Sequence, residues 1–132
     1  MTLVDANILV YANGRIHPYK QPCLDFLERL ADGEVEATID AEALQEILHR
    51  YRSLRRWSEG MSVYNDVRLL FPDVLAVTAE VTDHARALMN NDATLAARDA
   101  VHAGVVKVYG LDSICSYDRD FDRISGIRRI QP

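Results

Sequence analysis

The stretch SYDRDFDR, residues 116–123, sets Asp118, Asp120 and Asp122 at alternate positions directly after the mostly apolar run LDSIC. In an extended segment alternate side chains face the same way, so three like charges repel unless the chain turns or a cation sits among them. Hard divalent ions such as Mg2+ and Mn2+ take carboxylate oxygens of this kind. Asp118 comes first and is best placed to face a strand-end pocket. Asp120 can contribute, whereas Asp122 is assigned to the final turn or to solvent. Ser116 can hydrogen-bond a carboxylate or a water in such a pocket, or simply end a strand.

Other acids raise the same question. Asp5 closes the run MTLVD with Asn7 two residues on, which reads either as a helix N-cap or as a metal ligand beside an orienting amide. Asp99 shares one helix face with Leu95, His102 and Val106, so it interrupts a stripe that belongs inside. A buried carboxylate needs a cation, a donor or a solvent-filled cavity. The neighbouring Arg98 points about 100° away and is a poor partner. His102 reads as a core imidazole or one that supports a ligand. Between Glu42 and Glu46 the helical geometry weakly favours Glu46, which could equally form an exposed pair with Arg50.

These positions must be carried by regular elements. Residues 2–5, 34–39, 74–78, 112–116 and 127–132 read as strands. Helices are expected over residues 7–12, 23–33, 41–54, 59–70, 79–91 and 93–109, with Asp40 as an N-cap and Gly33 and Gly110 as stops. Strands alternating with helices, without hairpin dipeptides, predict an α/β fold on a mostly parallel sheet of about five strands. Open sheets of that class bind ligands beyond the carboxyl ends of their strands, where Asp5 and Asp118 fall.

Bulk properties narrow the classes further. The 132 residues, 48% hydrophobic and 27% charged, suit one domain with one core. Net charge is −5, which argues against a broad phosphate-binding surface. Arginines are nonetheless clustered in HRYRSLRR (49–56) and at Arg119, Arg123, Arg128 and Arg129, as an acidic pocket with an arginine rim requires. No run is long and apolar enough for a membrane span, and the apolar start lacks the features of a secretion signal. Cys23 and Cys115 show no zinc-like spacing and are expected to be reduced packing residues of a cytoplasmic protein. Nothing in the sequence marks an aromatic platform for stacking bases.

Four segments in order, LVDANILVYA, TIDAEALQEIL, AARDAVHAGVV and ICSYDRDFDRI, resemble the motifs of PIN-domain ribonucleases, and the compact chain resembles the VapC-type toxins of toxin–antitoxin pairs. The resemblance implies a PIN-like domain over residues 1–132. It promotes Asp5, Glu46, Asp99 and Asp118 to a catalytic, metal-binding quartet, with Asp120 a further possible ligand and Asn7 and Ser116 in support. Gly104 stands where alanine is common and Ser116 where threonine is frequent. Residues 55–75 carry no motif.

The same resemblance implies a Mg2+- or Mn2+-dependent endoribonuclease leaving a 5′-phosphate and a 3′-hydroxyl. Its implied partners are an RNA substrate, held at phosphates by arginines such as Arg50 and Arg119, a cognate antitoxin, and a second copy of the chain. Two alternatives stand beside it. One is a catalytically silent PIN-like RNA-binding module. The other is a haloacid-dehalogenase-like phosphatase, whose motif would want a second aspartate where Asn7 stands.

Overall fold

The computed structural model describes residues 1–132. Its strands are β1 (Thr2–Val4), β2 (Ala37–Asp40), β3 (Val74–Leu75), β4 (Ser113–Cys115) and β5 (Arg129–Ile130). They form one sheet in the order β3-β2-β1-β4-β5, and each of the four pairings is parallel. The connections carry α1 (Ala6–Asn13), α2 (Lys20–Ala31), α3 (Ala41–Ser53), α4 (Trp57–Leu70), α5 (Ala79–Asn91) and α6 (Ala97–Val108). A 3-10 turn, Arg119–Arg123, follows β4.

A parallel sheet covered by helices is apolar on both faces, and alternate strand residues divide the core in two. Val4, Ile39 and Cys115 pack with α1 to α4, while Leu3 and Ile114 pack with α5, α6 and the 3-10 turn. Both cysteines are free and buried. Burial raises the Cys23 thiol to about 11 and that of Cys115 to about 12, so both pack as small apolar groups. No helix is long and apolar enough to cross a membrane.

The boundaries depart from expectation where local bonds intervene. The last helix starts at Ala97 instead of residue 93 because the Asp92 carboxylate accepts from the Thr94 N–H at 2.9 Å and its hydroxyl at 2.6 Å. That closed turn competes with helical bonding. α2 begins at Lys20, not residue 23, since Pro22 falls in its first turn, where no N–H is required. The two edge strands are only two residues each.

Gly110 does stop α6, with φ of 66° and the Leu111 N–H returning to the Val106 carbonyl at 2.9 Å. Gly104 has a different reason to be small. A Cβ there would lie 2.7 Å from the Val81 carbonyl oxygen on α5, so an alanine would force α5 and α6 apart.

Candidate active site

From β1 the chain builds outward through β2 and β3, then crosses back to add β4 and β5 on the other side. The direction of growth therefore reverses between β1 and β4, and a crevice opens beyond their carboxyl ends. A cavity of about 550 Å3 lies there, and Asp5, Asn7, Glu46, Asp99 and Asp118 all line it. Each arrives on its own element: Asp5 at the β1–α1 junction, Glu46 on α3, Asp99 in the first turn of α6, Asp118 at the head of the 3-10 turn.

The turn after β4 sends its three aspartates in different directions. Asp118 faces the cavity and accepts from the Asp120 N–H at 2.9 Å, capping the turn. Asp120 groups with Asp99 and Asp118, ligand atoms within 4.8 Å of one another, yet it is tied to Arg123 at 2.6 Å. Asp122 pairs with Arg129 instead, at 2.9 and 3.1 Å. Like-charge repulsion is thus relieved partly by turning and partly by arginine.

Ser116 is the hub beneath Asp5. Its buried hydroxyl donates to Asp5 Oδ2 at 2.5 Å and accepts from Asn7 Nδ2 at 3.1 Å and the Asp118 N–H at 3.0 Å. A hydroxyl has one donor and two acceptor positions, so its bonding capacity is fully used and Asp5, Asn7 and Asp118 are fixed relative to one another. The remaining Asn7 oxygen, Oδ1, is buried without a partner.

His102 carries more of the site than its sequence context suggested. It is wholly buried, with Nδ1 2.7 Å from Asp40 Oδ2 and Nε2 3.4 Å from Glu46 Oε2 and 3.6 Å from Asp5 Oδ1. Burial alone would lower its pKa. The hydrogen bond and charge of Asp40, followed by those of Glu46 and Asp5, raise it well above the ordinary 6.5. An imidazolium therefore bridges Asp5 and Glu46 and screens the acids from below.

Asp40 was expected only as a cap. It does cap α3, Oδ1 accepting from the Ala43 N–H at 3.0 Å, but its second oxygen anchors His102. Asp40 is fully buried, and a carboxylate there must have partners for both oxygens to be tolerated. Glu46 forms no pair with Arg50; Arg98 lies 3.5 Å from it instead. Arg50 lines the cavity, whereas Arg119 is exposed and outside its lining.

Asp5 and Asp99 bind their protons more tightly than ordinary carboxylates do. Burial pushes Asp5 up, partly offset by His102 and Ser116. Asp99 is raised to about 7, first by burial, then by the charges of Asp118 and Asp5 and a hydrogen bond shared with Asp118. Oxygen donors at this density, with one buried amide oxygen unpaired, fit a hard divalent ion. Asp99, Asp118 and Asp120 have ligand-forming atoms within 4.8 Å of one another, as do Asp5, Glu46 and His102, where the imidazolium has no lone pair to give and the two carboxylates are the donors.

These shifts fix a pH dependence. Asp5, Asp99 and His102 are all raised on folding, so the folded chain holds the extra protons and stability declines as pH rises through their folded values. For Asp99 the window runs from 3.8 to about 7. The groups held low, half-buried Asp92 and exposed Asp112 and Asp122, act in the opposite sense only under more acidic conditions. The thermal midpoint of chelator-treated protein is expected to fall between pH 5 and pH 8, and less steeply in Asp99→Asn. A flat or rising midpoint in calorimetry contradicts this assignment.

Comparison with known proteins places this geometry. The PIN domain family model matches residues 2–127. The chain belongs to the PIN-domain family. It is 35% identical over 130 residues to ribonuclease VapC13 of Mycobacterium tuberculosis, covering 98% of this chain and 99% of that one. To ribonuclease VapC23 of the same species it is 35% identical over 118 residues, covering 89% and 93%. Among solved structures, VapBC2 from Rickettsia felis bound to a promoter DNA fragment superposes with a TM-score of 0.79 at 17% identity, over 98% and 97% of the two chains. VapC20 of M. tuberculosis, described as a toxin cleaving the sarcin–ricin loop, gives 0.78 at 18% identity over 100% of both. At such identities the structures share the PIN fold, and the α/β architecture expected from the alternation of elements is the one found.

Proposed function

We propose that this PIN domain is a metal-dependent endoribonuclease and the toxin of a toxin–antitoxin pair. The observation that carries the reading is the convergence of Asp5, Glu46, Asp99 and Asp118 on one cavity beside the unpaired Asn7 Oδ1. The names of the sequence relatives, all ribonucleases, support RNA as the substrate. The VapBC context of a structural neighbour supports an antitoxin as a protein partner.

Asp5, Glu46, Asp99 and Asp118 would hold Mg2+ or Mn2+, with Asp120 at the margin. Such an ion supplies Lewis acidity to a phosphodiester and makes a water more acidic. The rest falls to the chain itself. Ser116 and the Asp118 backbone hold the Asp5 and Asp118 carboxylates in place. His102 keeps Asp5 and Glu46 from repelling each other. Asp99, which takes up a proton near neutrality, can receive one as the ion leaves or give one up as it binds. Arg50, with no carboxylate partner, lines the same cavity and is available to a phosphate.

A silent RNA-binding module has no use for a charge cluster this costly to desolvate, so the enzymatic reading is favoured. The phosphatase alternative lapses with the family assignment, and Asn7 is engaged by Ser116 where that chemistry would want an acid. The finer expectations, a homodimer in the cytoplasm cutting single-stranded or looped RNA, belong to the same reading. Purified protein should cut a mixed RNA pool only with Mg2+ or Mn2+ restored after chelation, leaving 5′-phosphate ends. Cleavage that persists in excess chelator would remove the metal from the scheme, and cyclic phosphate ends would remove the water.

A further inference from the structure

Chain segments that looked unremarkable in the sequence gather four aromatic rings, of which Tyr11 and His17 line the acidic cavity. Tyr19 and Tyr117 stack with centroids 3.8 Å apart and planes within 3°. Tyr11 sets its edge against both, at 5.3 and 5.6 Å. His17 lies 4.8 Å from Tyr11 and 4.9 Å from Tyr19. Tyr117 directly precedes Asp118, so the cluster is joined covalently to the acidic site.

We propose that Tyr11 and His17 form a stacking subsite for an unpaired base of the RNA, next to the phosphate held at the acids. The inference rests on the nuclease reading above and adds where the substrate's base is held. α1 supplies the geometry. Asn7, Val10, Tyr11 and Gly14 follow one another at i, i+3, i+4 and i+7, share one helix face, and all line the cavity. That face runs from the acids to the rings. Asp5 and Tyr11 are six positions apart, a rise of about 9 Å, the span of a nucleotide or two.

Both rings are set before any ligand arrives. The Tyr19 N–H donates to His17 Nδ1 at 3.0 Å, which leaves the neutral ring's proton on Nε2, free to donate. Lys20 Nζ donates to the Gly14 carbonyl at 2.7 Å and the Lys20 N–H to the His17 carbonyl at 3.0 Å, holding the α1–α2 loop against the cavity. A surface already in its bound conformation loses little entropy on binding. Stacking on aromatic faces is how single strands are held, because every base offers a π-face.

An apolar side chain of a partner protein is the competing occupant of these rings. Arg15, Arg50, Arg56 and Arg98 line the same cavity, and guanidinium groups favour a polyanion whose bases are apolar and whose phosphates are charged. A peptide segment has no such alternation built into its backbone.

The test uses a single-stranded oligoribonucleotide spanning a site that the parent protein cuts in the mixed RNA pool, with 2-aminopurine or an abasic residue scanned through the positions flanking the cut. Fluorescence of 2-aminopurine bound to the Asp5→Asn chain should be quenched at one flanking position, and the quenching should disappear in Asp5→Asn/Tyr11→Leu. An abasic residue at that position should lower kcat/KM of the parent by about 5- to 150-fold and have little further effect in Tyr11→Leu. Tyr11→Phe should behave as the parent. Should Tyr11→Leu fail to fold, His17→Ala on the exposed loop carries the same comparison. Equal abasic losses in parent and variants overturn the subsite while leaving the nuclease standing. Loss of antitoxin binding in Tyr11→Leu with unchanged RNA coupling would assign the rings to protein docking and overturn it too. If no RNA is cut or bound, both proposals fall together.

Discussion

An Asp5→Asn chain is expected to cut RNA about a hundredfold or more slowly than the parent while keeping its fold. Asparagine preserves the size of the side chain and still offers an oxygen to the Ser116 hydroxyl, which donates to Asp5 Oδ2 at 2.5 Å. The lost charge is the one shared by both halves of the cluster, since Asp5 faces His102 at 3.6 Å and its charge also acts on Asp99. Removing it should weaken ion binding and lower the affinity of Asp99 for its proton. Asp99→Asn should show a comparable rate loss. Rates within threefold of the parent, in protein with native circular dichroism, would show that the observed cutting comes from elsewhere.

His102→Ala is expected to be among the most destabilising single changes in the molecule, at about 3–5 kcal/mol and a fall in thermal midpoint of roughly 10 °C or more. The cost does not come mainly from the small cavity. Asp40 is fully buried and loses its partner at 2.7 Å, while Asp5 and Glu46 lose the cation between them. A second change should reverse the sign. Asp40→Asn alone should destabilise the parent by weakening the His102 pair, yet stabilise His102→Ala, because an amide still caps Ala43 without leaving a buried charge. Guanidinium titrations of the four proteins close this double-mutant cycle. Additive effects would mean that Asp40 and His102 act independently.

The elements that were legible in the sequence were those whose pattern arises from burial on two faces or from a local cap. LVD and SIC read as strands because a covered parallel sheet leaves no polar face, and Asp40 and Gly110 read as helix boundaries because their bonds are made within a few residues. The acids Asp5, Asp99 and Asp118 were legible as carboxylates misplaced in apolar or strand-end contexts. Glu46 was not, because a glutamate at the edge of a helix face looks the same whether it meets Arg50 or His102; the family resemblance selected it.

What stayed hidden depended on contacts across long stretches of chain. The Asp40–His102 pair spans 62 positions, and no periodicity announces it. Tyr11, His17, Tyr19 and Tyr117 come from three separate segments, so their assembly needs the β1–β4 pairing that brings residue 117 beside α1. Helix starts were misread where side chains bond locally, as Asp92 does with Thr94, since that bond is as short-ranged as the helix it displaces.

Asp5 and the Ser116 that orients it are 111 positions apart, joined only through the parallel pairing of a central first strand with a late one. A nascent chain that stops short of β4 can bury its early helices yet lacks Asp118, its turn and the strand that docks them. The acidic cavity therefore closes only once β4 and the turn after it have emerged and docked beside β1.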